Sequence, residues 1–370
     1  MSMSIQDYLD EMRRVRKSLL NFIKSESNDE ENFRILNDIF KELKISEDQH
    51  KLMSLLHLLV KIANNHQRSS KFFSKIEQIL LVFQSDIKKY FLNSEIFNIF
   101  KSNKRILIFL IEQKIIIIDE YIVKTITTGK YKKFEYDKYF APEIEPFKKD
   151  SDGETNKEEE LNEEFYENRK IGENDNFICK LIQNDSIDDF IIYTNKTNLP
   201  LKSEIKQSIY ETNNYLIKKQ TESYTTLIEY AAFFGSLNIF NYLIKMGVEL
   251  TPSIWNYAIH GKNSQIIRIL EEANIKPTNV NECFYESIKC NHNAIAKYIQ
   301  TNSLQEKDIN LNDLLIKSLK FYNFGFIRSD LIKEITLYDA CRYGYYIIAD
   351  FLLKDGNIDI NQTLKISGNI

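Results

Sequence analysis

One segment constrains the fold more than any other, the run from Thr226 to Gly247, TLIEYAAFFGSLNIFNYLIKMG. Its apolar residues recur at three- and four-residue steps on both sides of Gly235, as in two amphipathic helices. Gly235 stands where the chain must turn with a positive φ, which glycine adopts without a steric penalty. The small Ala231 and Ala232 allow a neighbouring helix to approach closely. The segment therefore predicts a short helical hairpin that stops at Gly247.

Weaker copies of this hairpin follow in phase. The position of Ala231 is taken in turn by Ala258, Ser287, Ser318 and Ala340, at spacings of 27, 29, 31 and 22 residues. Lys262 replaces the turn glycine in the second copy, whereas Gly344 supplies it again in the last. Such repetition is typical of a solenoid, in which each hairpin buries its apolar face against the next.

The hairpins resemble the ankyrin repeat, T-P-L-H-x-A-A-x-x-G followed by V-x-x-L-L-x-x-G. In the first hairpin the alanine pair, Gly235, Leu243 and Gly247 match, but the proline is missing and Glu229 stands in place of the histidine. The strongest later copy, Thr336–Asn361, matches at Ala340, Gly344, Ile348, Leu352, Leu353, Gly356 and Asn361. Because the spacings fall short of the usual period of about 33 residues, we expect shortened β-turns and little strand.

The chain also looks like a narrower group, protist ankyrin proteins that carry a helical domain of unknown function ahead of their repeats. The segments that carry this resemblance are Arg169–Tyr193, Ser208–Ile217, Thr226–Leu243 and Ile288–Ile299. The resemblance implies an architecture and little about activity. Because the array stops at Ile370 without a polar cap, we expect residues 336–370 to fray.

The first 149 residues read as a series of amphipathic helices. Apolar residues at helical spacing are Tyr8, Met12, Val15, Leu19, Phe22 and Ile23, then Phe33, Leu36, Phe40 and Leu43, then Leu52, Leu55, Leu56, Leu59 and Ile62, then Phe72, Phe73, Ile76, Ile79, Leu80 and Phe83. Polar clusters at Ser25–Glu31 and Asn64–Ser70 separate them. We predict an all-α fold with an N-terminal helical domain (1–149), a linker (150–168) and an α-solenoid of degenerate ankyrin-type helical hairpins (169–370).

The linker is strongly acidic. Residues 150–168 hold nine acidic residues and one basic residue, whereas the preceding 149 residues hold 26 basic and 21 acidic ones. A segment so poor in large apolar groups cannot offset its ordering entropy, which favours a solvated linker. The alternative is an acidic arm that docks on a basic partner.

The composition argues against a sheet-rich, membrane-spanning or disulfide-rich protein. With 10 glycines and 5 prolines, tight turns are scarce, which favours helices over sheets. The N-terminus lacks an apolar signal core, and the most apolar stretch, Ile106–Ile118, is interrupted by polar residues and too short to span a membrane. Four cysteines are too few for a disulfide framework. We therefore expect an intracellular, cytoplasmic protein that does not bind membranes.

Catalytic and metal-binding patterns are weak. Cys283, Cys290 and His292 are close in sequence, as are His50 and His57, but neither group supplies the roughly four ligands of a zinc site. We interpret them as packed or surface side chains. Neither a glycine-rich phosphate loop nor a G-x-S-x-G motif occurs. The sequence predicts no enzyme, no metal, no cofactor and no small-molecule ligand.

The repeat phase predicts a partner-binding stripe. In ankyrin-like units the residues after the alanine pair face the concave surface of the array, which such proteins use for partners. Here these positions include Phe233, Phe234, His260, Lys289, Lys320, Phe321, Arg342 and Tyr343. Aromatic residues and arginine carry much of the energy of protein interfaces. We predict a protein–protein interaction scaffold or adaptor, although the phenylalanines could instead pack against the next hairpin.

A nucleic-acid interface is the alternative function. Lys130–Phe140, KYKKFEYDKYF, interleaves four lysines with five aromatic residues. Lysines could contact phosphates while the aromatic rings stack on bases. The competing interpretation is a surface helix or hairpin that packs its rings inward.

Overall fold

The computed structural model describes residues 4–25, 27, 29–147, 162–217 and 224–354. Most of the predicted acidic linker therefore lies outside the described residues, although its end, from Glu163, begins a helix. The final part of the predicted solenoid, with Gly356 and Asn361, lies outside them as well, so the expected fraying there is still a prediction.

The chain divides into two compact units. Unit 1 comprises Met1–Ile62, Arg68–Asp86 and Val280–Ile370, and unit 2 comprises Ala63–Gln67 and Ile87–Asn279. The helices up to residue 144 are α1 Ile5–Lys24, α2 Asp29–Glu42, α3 Gln49–Asn65, α4 Phe72–Val82, α5 Gln84–Tyr90, α6 Asn93–Phe100, α7 Lys104–Glu112, α8 Glu120–Thr127, α9 Gly129–Lys133, α10 Tyr136–Tyr139 and α11 Ala141–Ile144. The later helices are α12 Glu163–Ile171, α13 Phe177–Gln183, α14 Ile187–Thr197, α15 Leu227–Phe234, α16 Leu237–Lys245, α17 Ile254–Gly261, α18 Ser264–Glu272, α19 Val280–Lys289, α20 Asn293–Ser303, α21 Leu311–Lys320, α22 Leu337–Tyr343 and α23 Tyr346–Lys354.

The predicted all-α class is confirmed. Within the described ranges the only β contact is an isolated antiparallel bridge between Glu204 and Thr226, and the remaining short elements are 3-10 turns. The expectation of little strand is therefore correct. No helix in the described part of the chain combines the length and apolar character needed to cross a membrane.

The hairpin turns share one backbone conformation. A residue with positive φ closes each turn: Asp185 (50°), Gly235 (72°), Lys262 (51°), Asn291 (59°), Tyr322 (55°) and Gly344 (78°). In each of these turns except that at Lys262, the next residue donates its N–H to a carbonyl five positions back, as in Ser236 to Ala231 at 2.9 Å and Tyr345 to Ala340 at 2.8 Å. This is the hydrogen bond of a helix stop with a left-handed residue. From Gly235 onward the turn residues fall at the predicted phase. In the fourth copy, however, α21 is followed by the 3-10 turns Phe324–Phe326 and Ser329–Glu334 instead of a second α-helix.

Small side chains bring neighbouring hairpins together. The repeated small position, at Ala231, Ala258, Ser287, Ser318 and Ala340, is fully buried in every copy. In unit 2, α15 and α17 approach so closely that a Cβ at Gly261 would lie 2.1 Å from the carbonyl oxygen of Ala232. Glycine is therefore required at this position.

Sequence reasoning missed one hairpin. α13 and α14 meet at Asp185, and this hairpin precedes the first predicted copy. The Asp185 carboxylate accepts hydrogen bonds from the backbone N–H groups of Asn238 and Ile239, both at 3.0 Å, and so caps α16. The sequence did not reveal this copy because Leu181 occupies the position that holds alanine or serine in the other copies.

The predicted N-terminal helices are present, and nearly all of their predicted apolar positions are buried. In unit 1, α1 packs with hairpins from the far end of the chain. Arg16 donates from Nε to Asn291 Oδ1 at 2.6 Å and from Nη2 to Asn293 Oδ1 at 3.0 Å. Arg13 Nε donates to the carbonyl of Phe324 at 2.9 Å. Unit 1 thus combines segments from both sides of the predicted linker, and the proposed domain boundaries are still predictions.

Candidate functional site

Three cations occupy equivalent positions on successive repeats of unit 1, the middle of which has 3-10 turns in place of its second helix. Lys289, Lys320 and Arg342 each lie two residues before the turn residue of their hairpin. Helix α19 contacts α21, and α21 contacts α22, so the three helices lie side by side. Packed helices are about 8–10 Å apart, which sets the spacing of the three side-chain positions. We call these three residues the basic column.

The charges near the basic column also affect one another's pKa. Burial lowers the pKa of Lys320, and the neighbouring charges of Lys317, Lys289 and Arg342 lower it further. Burial also lowers the pKa of Lys61 in α3, with a further contribution from Lys320. Four cations therefore surround Lys320, two of which belong to the basic column.

The column is only partly neutralised. Lys289 pairs with Glu286 at 2.8 Å. Lys320 and Arg342 form no ion pair with any residue that the structure describes. Arg342 instead donates from Nη1 to the hydroxyl of Tyr338 at 2.9 Å. Its positive charge is therefore available to a partner.

Aromatic rings flank the column. The Arg342 guanidinium lies 5.5 Å from the ring centroid of Tyr338 and 5.7 Å from that of Tyr343. Lys320 Nζ lies 5.3 Å from the ring of Phe321. Phe321 and Tyr343 are half-buried, and Tyr338 is exposed. The structure thus brings together the five predicted stripe residues that belong to unit 1.

The predicted stripe residues of unit 2 have a different environment. Phe233 and His260 occupy the same position relative to their turns, but they are only 7% and 1% exposed. Their rings stack with centroids 4.8 Å apart, and the Tyr215 ring lies 4.4 Å from His260. Phe234 is half-buried, with its ring 4.7 Å from that of Tyr230. A partner would reach Phe233 or His260 only by displacing these packed rings.

Two cations near the basic column, Lys317 and the largely buried Lys61, were missed by sequence reasoning. Lys317 lies three residues before Lys320, and this spacing places both on one face of α21, a signal that could have been used. Lys61 had no such signal, because it comes from a distant part of the chain and joins the cluster through tertiary packing.

The histidines and cysteines considered as ligands are packed against other side chains or buried. The His57 ring stacks on Tyr322 at 5.7 Å, and the His50 ring lies 5.9 Å from Tyr346. Burial raises the pKa of the Cys283 thiol to about 12, which disfavours the reactive thiolate.

The basic and aromatic segment Lys130–Phe140 packs its rings inward. Tyr131, Tyr136, Tyr139 and Phe140 are all buried. The hydroxyl of Tyr136 donates to the carbonyl of Lys101 at 2.8 Å, and that of Tyr139 donates to the carbonyl of Arg169 at 2.9 Å. These four rings are not available for base stacking, so the nucleic-acid alternative loses most of its aromatic contacts.

Comparison with known proteins gives one informative likeness. The chain is 30% identical over 139 residues to a protein of Acanthamoeba polyphaga mimivirus described as ankyrin repeat protein L72. The hairpins are ankyrin-like. The match covers 36% of this chain and 31% of the mimivirus protein, so it spans about a third of that relative's length. No family model matches, and no solved structure matches. The resemblance to protist proteins with an N-terminal domain of unknown function is still a prediction.

Proposed function

We propose that the chain is a non-enzymatic scaffold that binds a partner protein through the basic column and its flanking aromatic rings. The observation that carries this proposal is the placement of Lys289, Lys320 and Arg342 at equivalent positions on three neighbouring helices, α19, α21 and α22. Stacked hairpins present an extended surface rather than a deep pocket, which suits a protein ligand better than a small molecule. The description of the mimivirus relative as an ankyrin repeat protein supports the same class of function.

The predicted residues divide into two roles under this proposal. Arginine and aromatic side chains are enriched among the residues that dominate interface energies, and Arg342, Tyr343 and Phe321 combine both types. Phe233 and His260 act by holding the hairpins of unit 2 together, because both side chains are buried. Phe234 has a half-buried ring and is kept as a secondary contact.

Site-specific photo-crosslinking tests the proposal. Tyr338 would be replaced by p-benzoylphenylalanine, which keeps an aromatic ring beside Arg342. Tyr298 on α20 is a matched control, since both tyrosines are 42% exposed. Each full-length variant would be irradiated in an extract of the cells that make the protein, after circular dichroism has verified folding.

We expect an adduct at position 338 that protease removes and nuclease does not, with none at position 298. A nuclease-sensitive adduct at position 338 would instead indicate a nucleic-acid partner at this surface and would contradict the proposed protein partner. Equal adducts at both positions, or none at 338, would contradict the assignment of the binding surface.

A further inference from the structure

We infer that the partner segment is an extended acidic peptide with a carboxylate at about every third residue. This inference rests on the proposed function, because it names the partner chemistry of the same surface. It is carried by the equivalent placement of Lys289, Lys320 and Arg342 on the neighbouring helices α19, α21 and α22.

The spacing of the column matches a particular peptide conformation. Adjacent packed helices place equivalent side chains about 8–10 Å apart. A polyproline II helix has about three residues per turn and rises about 3.1 Å per residue, so residues i and i+3 point the same way about 9.3 Å apart. A β-strand alternates its side chains, and its residues i and i+3 point to opposite faces. Carboxylates at i, i+3 and i+6 of a polyproline II segment therefore suit the three cations.

The charge state of the surface favours an anionic ligand. Lys320 and Arg342 have no ion-pair partner among the described residues, and Lys61 and Lys317 add further positive charge around Lys320. Like charges held this close raise one another's free energy, which a bound carboxylate would relieve. Since Glu286 already pairs with Lys289, the strongest contacts are expected at Lys320 and Arg342.

Peptide fits this surface better than nucleic acid. Sequence-independent binding to nucleic acid relies on many phosphate contacts, about 6–10 in a well-studied case, and this surface offers five cations. The rings of Phe321 and Tyr343 are half-buried, so they are not presented as open stacking platforms.

Fluorescence anisotropy with synthetic peptides tests the inference on the full-length protein. One labelled peptide would carry glutamate at every third position in a proline- and alanine-rich sequence. A second would have the same composition with its glutamates in one block, and a third would replace glutamate by lysine. We expect the spaced peptide to bind roughly tenfold more tightly than the block peptide, with affinity falling as salt is added.

Charge reversal at the centre of the column gives the second measurement. We expect Lys320→Glu to weaken binding of the spaced peptide roughly tenfold. Changing the central glutamate of the peptide to lysine should restore binding to that variant. Lys297→Glu is the matched control, because Lys297 is an exposed lysine on α20 of the same unit. The control should bind like wild type, and circular dichroism would verify both folds.

Three outcomes would overturn the inference: equal binding of the spaced and block peptides, no binding of either acidic peptide at low salt, or tighter binding of an oligouridylate. These failures are distinguishable from failure of the proposed function. A protease-sensitive adduct at position 338 would still support a protein partner whose docking segment is not acidic.

Discussion

At the residue scale, the environment of His57, near the start of the chain, is set by residues near its end. Its ring stacks on Tyr322 in unit 1, and a Cβ at Gly344 would lie 2.8 Å from its Nε2. Burial lowers the pKa of His57 to about 4, with a smaller contribution from the charge of Lys61. The imidazole is therefore neutral in the folded chain at neutral pH.

His57 should make stability depend on pH. Because its folded pKa is below the usual value near 6.5, between pH 6.5 and 4 the unfolded chain binds a proton that the folded chain does not. The contribution of neutral His57 to the stability of the folded chain is therefore complete above pH 6.5 and is lost as the pH falls towards 4. We expect this group to lower the free energy of unfolding by about 2 kcal/mol between pH 7 and pH 5.

Urea denaturation at both pH values would measure this loss. His57→Gln, which cannot titrate, should show a loss smaller by that amount. An unchanged pH dependence in the variant would rule out His57 as its source.

At the scale of the element, the hairpin turn depends on backbone conformation rather than on one residue type. Glycine adopts a positive φ freely, but Asp185, Lys262, Asn291 and Tyr322 adopt the same region in this chain. A non-glycine residue there costs about 1–2 kcal/mol, which packing or hydrogen bonding elsewhere must offset. At Tyr322 this conformational cost is offset by packing of the fully buried ring, whose centroid lies 4.6 Å from that of the stacked Tyr345 ring.

Lys262→Gly should stabilise the protein. Lys262 has φ 51° and an exposed side chain, so glycine relieves strain at the turn without removing packing. After allowing for the greater freedom of glycine in the unfolded chain, we expect a gain of roughly 0.5–1 kcal/mol. Urea denaturation would measure it. Tyr322→Gly, at the same turn position, should instead destabilise by about 3 kcal/mol or more, because a buried ring is lost. Similar effects of the two substitutions would refute this account of the turns.

At the scale of the whole molecule, the compact units are not continuous stretches of the chain. Unit 1 joins residues 1–62 to residues from 280 onward. Its contacts include the buried Arg16, held by the side chains of Asn291 and Asn293. Burial lowers the pKa of Arg16 to about 10, which leaves it charged at neutral pH. Removing one partner from such a buried polar contact is costly because the other groups are left unsatisfied.

Arg16→Ala should loosen the distant hairpins of unit 1. We expect a loss of roughly 2–4 kcal/mol and faster amide hydrogen exchange in α19, α20 and α21. Arg14→Ala is the control on the same helix, because Arg14 forms an exposed pair with Glu42 at 2.8 Å. It should change exchange little. Faster exchange confined to α1 in the Arg16 variant would show that α1 does not support these hairpins.

The hairpin phase was predictable because its causes are local. Helical spacing, a small residue at Ala231 and its equivalents, and a residue able to turn with positive φ all act within about ten residues. The same phase correctly grouped Lys289, Lys320 and Arg342 at equivalent positions. It left open whether the phenylalanines pack inward, and it could not decide this for Phe233 or predict the burial of His260, because the rings that cover them include Tyr215, outside any repeat.

The sequence by itself determined that this protein is all-α, built of ankyrin-like hairpins, and where the chain turns from Gly235 onward, since each property depends on neighbouring residues. Only the tertiary structure decided that α1 packs with segments beyond residue 280, that Lys61 lies near Lys320 of the basic column, and that the rings of Lys130–Phe140 face inward. Burial and charge clustering depend on side chains hundreds of residues apart, and no local pattern encodes which of them will meet.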